Sequence, residues 1–193
     1  MANVNAPTGG RPIGTLVGAP YNGQANTYTA KADYATALYI GDPVVVTGER
    51  DSGHQVVALA TAGATNQITG FIIGFEPTPG IVSLGYGAAS TLRYPIVADA
   101  PDLLFELQED AVGGAIAVAS IGLNINLVSG SGNTYTKKSG WMIDSSSAGS
   151  DATYQMTIRD IVTRVDNEAA TAYAKYICSI NIHTRRLAAV AGL

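Results

Sequence analysis

Between residues 36 and 184 the chain is a series of short runs in which apolar and polar side chains alternate, set apart by turn-forming residues. Successive side chains of an extended strand point to opposite faces, so a period of two marks a strand with one buried face. PDLLFELQED places Leu103, Phe105 and Leu107 on one side and Leu104, Glu106 and Gln108 on the other. SIGLNINLV sets Ile121, Leu123, Ile125 and Leu127 against Gly122, Asn124 and Asn126. TYQMTIRD sets Tyr154, Met156 and Ile158 against Gln155, Thr157 and Arg159, and KYICSINIHT aligns Tyr176, Cys178, Ile180 and Ile182. QITGFIIGFE aligns Phe71, Ile73 and Phe75, while TLRYPIVADA aligns Leu92, Tyr94, Ile96 and Ala98. Pro95 removes a ladder donor, which marks that run as an edge strand or a bulged one. Helical periodicity is confined to a short turn in DNEAATAYAK. The expected class is therefore mostly β, an antiparallel β-barrel or a jelly-roll-like sandwich. Its core is expected to hold Leu103, Phe105, Leu107, Ile121, Leu123, Ile180 and Ile182, the apolar sides of the alternating runs.

Residues 1–35 read differently. Pro7, Pro12 and Pro20 stand among Gly9, Gly10, Gly14, Gly18 and Gly23, a density that stops helices and most ladder pairing. An extended N-terminal arm is expected over 1–35, followed by a β domain over 36–184 and a tail over 185–193. The arm has no charge run to keep it solvated, so it is expected to lie along a neighbouring subunit and extend that subunit's sheet edge. Pro7, Arg11, Pro12, Pro20 and Tyr21 are its expected contact residues.

Charged residues make up 13% of the chain, about half the usual share near 25%. Between Asp110 and Lys137 there is no charged side chain at all. A soluble monomer normally carries a dense mixed-charge exterior, so this composition predicts association with copies of itself or with a larger partner. A net charge of -4 argues against nucleic-acid binding, which calls for a basic stripe. Glycines and asparagines interrupt the uncharged stretch, so no membrane span is expected there. The start of the chain has neither the basic nor the apolar segment of a secretory signal. Cys178 has no partner cysteine in the chain and reads as a small buried hydrophobe.

The search for chemistry is mostly negative. The sequence has no GxSxG elbow, HExxH pair, Walker A loop or paired CxxC, and GYGAAS at residues 85–90 reads as a turn. Asp99, Asp102, Glu106, Glu109 and Asp110 form the densest acidic segment and read as a solvated edge, with Asp99 or Asp102 as a turn cap. His54 and His183 read as surface or hydrogen-bonded structural histidines, and Trp141 as a packing anchor. No catalytic residue, cofactor or metal site is expected.

Taken in order, MANVNAPTGGRPIG, YIGDPVVVTG, ITGFIIGFE, VADAPDLLFELQED, VGGAIAVASIGLNINLVSGSGNTYTKKSGWMIDSSS and AATAYAKYICSINIH resemble the head decoration, or cement, proteins of tailed bacteriophages. The resemblance spans nearly the whole chain but offers no catalytic residue; RRLAAVAGL at the C-terminus matches no pattern in it. It implies a structural virion protein on the outer surface of the capsid, made in the host cytoplasm. The implied partners are the major capsid protein and the chain itself, as a homotrimer or alternatively a dimer. Another β-rich virion component, such as a receptor-binding or tail-associated module, is the alternative.

Overall fold

The computed structural model describes residues 3–78, 80, 84–186 and 192. Twelve strands follow one another: β1 (Arg11–Thr15), β2 (Asn26–Thr27), β3 (Pro43–Asp51), β4 (His54–Leu59), β5 (Gly70–Glu76), β6 (Tyr94–Ala98), β7 (Leu103–Gln108), β8 (Asn124–Ile125), β9 (Leu127–Val128), β10 (Met142–Ile143), β11 (Met156–Ile161) and β12 (Lys175–Ile180). A single 3-10 turn at Val118–Ser120 is the one helical element among the described residues. The strands form two five-stranded antiparallel sheets, ordered β1-β7-β12-β11-β8 and β2-β6-β5-β3-β4, with β9 and β10 as a separate pair. Neither sheet closes into a barrel. They face each other as an open sandwich, and consecutive strands from β2 to β6 stay within one sheet.

The interior between the sheets follows from the alternation. Leu103, Phe105 and Leu107 of β7 are buried, with Met156 and Ile158 of β11 and Tyr176, Cys178 and Ile180 of β12. Phe105 meets Phe71 of the facing sheet with ring centroids 4.7 Å apart. Trp141 is buried in the same cluster, and burial pushes the Cys178 thiol up to about 12. Ile121 packs only partly buried against it, and Leu123 and Ile182 are also part-exposed, so these three, expected in the core, lie at its margin.

Several runs depart from simple alternation, among them β11, whose register against β12 shifts between Ile158 and Asp160. In β5 the register shifts between Ile72 and Gly74, and such a bulge moves the following side chains to the other face. Phe71 therefore faces the inter-sheet core, whereas Ile72 and Phe75 join a second cluster on the opposite side of the sheet. In β6 the buried positions are Pro95, Val97 and Ala98, while Tyr94 and Ile96, which share a face with Ala98, are only partly covered. β6 lies inside its sheet between β2 and β5, so the expected edge is absent and the bulge sits on the partner strand β5. SIGLNINLV breaks between β8 and β9, which belong to different sheets, and Asn124 is fully buried.

The N-terminal segment is part of the domain rather than a detached arm. β1 pairs with β7, Arg11 opposite Glu106 and Pro12 opposite Phe105. Pro12 is tolerated because β1 is an edge strand. β2 pairs with β6, and residues 28–40 cross the outer face of that sheet, where Tyr28, Ala30 and Leu38 are buried on Val44, Val57, Ile72 and Val97. Tight backbone contacts replace regular ladders here. The Gly10 amide donates to the Gly41 carbonyl at 2.9 Å, and a Cβ on Gly9 would lie 2.0 Å from that same oxygen. The prolines and glycines that exclude long ladders thus permit close threading over the domain's own surface. Sheet edges are also occupied: Thr29 brackets β4, the 19–21 turn returns to β1, and Gly149 exchanges hydrogen bonds with Asn124 of β8. This limits the pairing of a foreign strand.

Candidate functional site

Where the N-terminal segment passes between the sheets it leaves a cleft of about 520 Å³. β1 supplies Arg11 and Pro12, β7 supplies Glu106, the loop after β11 supplies Arg164, and β12 supplies Lys175. Lys138 approaches from the loop before β10, beside Ile40 and Gly41. Glu106 alternates out of the core because its neighbours Phe105 and Leu107 point in.

The Glu106 carboxylate is gripped from two sides. Arg164 donates Nη1 to Oε2 at 2.9 Å and Nη2 to Oε1 at 2.7 Å, and Arg11 donates Nη2 to Oε2 at 2.7 Å. Burial pushes this carboxyl up, but the two guanidiniums outweigh it and hold it below the usual carboxylate range. On the rim, Asp166 pairs with Arg164 and Lys175, both at 3.1 Å. Lys138 is half-buried and has no ion pair among the described residues. Four cations and two carboxylates therefore meet here, leaving a local excess of positive charge in an acidic chain.

Of the residues expected to make contacts, Arg11, Pro12 and Tyr21 line the cleft. Pro7 is half-buried within the strap, and Pro20 is exposed and bridges back to Gly14. Gln108 fixes the strap: its Nε2 donates to the Val4 and Tyr173 carbonyls, and its Oε1 accepts from the Ala6 amide at 3.0 Å. Asn3 exchanges hydrogen bonds with the backbone of Glu168. Lys138, Arg164 and Lys175 escaped the reading of the sequence because they stand far apart along it and form no local motif.

The acidic segment is not one solvated edge. Asp99 is buried and accepts from the Arg185 guanidinium at 2.8 Å, the Tyr28 hydroxyl and the Asn26 amide. Glu109 is fully buried and accepts from the Ile116 amide at 2.7 Å, and desolvation raises its carboxyl. Asp99 is tolerated inside because a buried carboxylate ringed by donors costs far less than an unpaired one, whereas Oε1 of Glu109 has no hydrogen-bond partner among the described residues, in keeping with its raised carboxyl. His183 is buried, and its Nδ1 accepts from the Arg185 amide at 2.9 Å, so the neutral ring carries its proton on Nε2. Arg185 and Arg186 belong to this packed end, while residues 187–191 and 193 of the expected tail lie outside the described residues.

Among the described residues, no group of three or more His, Cys, Asp or Glu is placed to hold a metal ion, and no helix is long and apolar enough to cross a membrane. Comparison of the chain with protein-family models, with curated proteins and with solved structures finds no match.

Proposed function

We propose that this protein is a non-catalytic structural component of a tailed-phage virion that decorates and stabilises the outside of the capsid by bridging neighbouring subunits. The carrying observation is that four of the eight large exposed apolar side chains among the described residues stand toward one end of the β1-β7-β12-β11-β8 sheet. Val4, Val112, Val118 and Val165 all stand on segments at the end where β7 finishes and β12 begins, with Val112 81% and Val165 99% exposed. Single exposed apolar residues are ordinary, whereas several at one end of a weakly charged domain form a surface suited to being covered. The segment order that resembles cement proteins supports the same reading.

Such a role needs binding energy rather than chemistry. A protein that binds the assembled shell and not its dissociated subunits shifts the equilibrium toward the shell. The occupied sheet edges turn this binding toward side-chain contacts, with the chain acting as a homotrimer, or a dimer, around a symmetry axis of the shell. Cryo-electron microscopy of intact particles that contain the chain tests the proposal. The expected result is density on the outer capsid surface at a fixed ratio to capsid subunits. Density confined to the tail or to a receptor-binding tip would replace it with the tail-associated reading.

A further inference from the structure

Four of the eleven Lys and Arg residues of the chain line the cleft between the N-terminal segment and the sheets, although the net charge is -4. They arrive from β1, β12 and two separate loops, so only folding brings them together. Glu106 and Asp166 engage Arg11, Arg164 and Lys175. Lys138 is left across the cleft without a carboxylate among the described residues, next to an apolar wall of Pro12, Ile40 and Ile73. A cation half-removed from water and set against apolar surface is poised for an anion that brings its own apolar neighbour.

We propose that this cleft binds an acidic peptide segment of a partner protein. A Glu or Asp carboxylate pairs with Lys138, within the positive field of Arg11, Arg164 and Lys175, and an adjacent apolar side chain covers Pro12, Ile40 and Ile73. A charge-assisted contact of this kind supplies orientation, and the apolar wall supplies area. Nucleic acid fits poorly, because the whole chain is negative and Tyr21 is the only aromatic side chain in the lining, so bases find no stacking row. The inference stands whether or not the virion reading holds, since it concerns the chemistry of the cleft alone.

The test uses the full chain and two libraries of blocked hexapeptides, one with a fixed Glu and one with Gln in its place, each with random neighbours. Affinities of the best binders are then measured by fluorescence anisotropy for the wild type and for Lys138→Arg, Lys138→Gln and Lys138→Glu. These substitutions leave the backbone bond from Asn133 to the residue-138 carbonyl in place, and unchanged thermal melting verifies the fold. The expected result is selection from the Glu library of peptides with an apolar residue beside the acid. Dissociation constants should rise about tenfold for Lys138→Gln and further for Lys138→Glu, with retention in Lys138→Arg. Lys138→Gln and the Glu→Gln peptide should not add, because they remove the same pair. Equal selection from both libraries, no selection at millimolar peptide, or full affinity in Lys138→Glu overturns the proposal. So does tighter, Lys138-dependent binding of a thymidine oligonucleotide, which would assign the cleft to nucleic acid.

Discussion

The β2-β6-β5-β3-β4 sheet is covered on both faces, by opposite means. Its inner face meets another sheet, and the seal is made by strand-borne apolar side chains such as Phe71 against Phe105. Its outer face meets residues 28–40, which form isolated bridges but no long strand. There, apolar burial is supplemented by polar pins: the Tyr34 hydroxyl accepts the Leu59 amide, Asp42 accepts the Tyr39 amide, and Asp99 gathers Tyr28, Asn26 and Arg185. A strand inherits its position from its ladder, whereas a coil laid on a sheet needs individual anchors, and buried groups fill that role where donors and acceptors match.

The sharpest test of the inner face is Phe105→Ala. Phe105 is fully buried and packs at a tilt against Phe71, so its truncation should cost about 3–5 kcal/mol, the range for aromatic truncations in a core. Chemical denaturation measures it, and a loss below about 1 kcal/mol would show that the two sheets do not seal at this pair.

Asp42 tests the outer face through pH. Burial pushes its carboxyl from 3.8 up to about 6, against hydrogen bonds from Ser139 and the Tyr39 amide that pull it down. Below the unfolded value both states are protonated and Asp42 contributes nothing to the pH dependence. Between about 4 and 6 the folded state keeps a proton the unfolded state has lost, so stability falls as pH rises. The full cost, about 3 kcal/mol, is present above pH 6. Asp42→Asn should remove this slope, and denaturation midpoints of variant and wild type across that window measure the difference. Parallel curves would mean that Asp42 titrates as an ordinary carboxylate.

Arg185→Ala probes the other pin. It leaves Asp99 buried with only the Tyr28 hydroxyl and the Asn26 amide, and loss of a hydrogen bond to a buried charge costs about 1.5–3 kcal/mol. Arg185 is itself 43% exposed in its side chain, which places the expected value at the lower end. Thermal or denaturant unfolding that matches the wild type would show that the outer cover is held by its apolar contacts alone.

The same contrast explains what could be read from the sequence. β7 and the first halves of β11 and β12 carry apolar side chains at every second position, and Phe105, Met156 and Cys178 lie in the core where that period places them, although β11 bulges between Ile158 and Asp160. The bulge at Ile72/Gly74 adds a residue without any local signal strong enough to locate it, so Phe75 leaves the face that Phe71 and Ile73 share. Pro7 and Gly10 stand outside the strands, but exclusion from ladders does not imply detachment, since Gly10 is needed where a Cβ would meet the Phe71 ring at 2.3 Å, and Pro12 is itself part of the edge strand β1. Asp99 and Glu109 escaped for a related reason: their donors, Arg185 and the Ile116 amide, are defined only by tertiary contact. The cleft is the extreme case, because its cations are collected from across the chain.

His183 supplies the smallest expected effect and the closest balance between the regions. It sits where the chain leaves β12 and returns to the outer-face network, bridging to Ile68 and lying near Asp99 and Arg185. Desolvation lowers its pKa from 6.5, with Arg185 acting in the same direction and Asp99 opposing. The unfolded chain therefore takes up a proton below 6.5 that the folded ring resists, so this residue makes stability fall as pH drops through that range. That slope is opposite in sign to the one from Asp42 where the two windows meet below about pH 6. In the wild type the two contributions therefore offset in part. Asp42→Asn should expose a decline toward acid, and His183→Gln a gain toward acid, while the double variant returns the profile toward flat. If the single variants have the same profile as the wild type, the two buried groups do not titrate in this window and the outer face is held independently of pH.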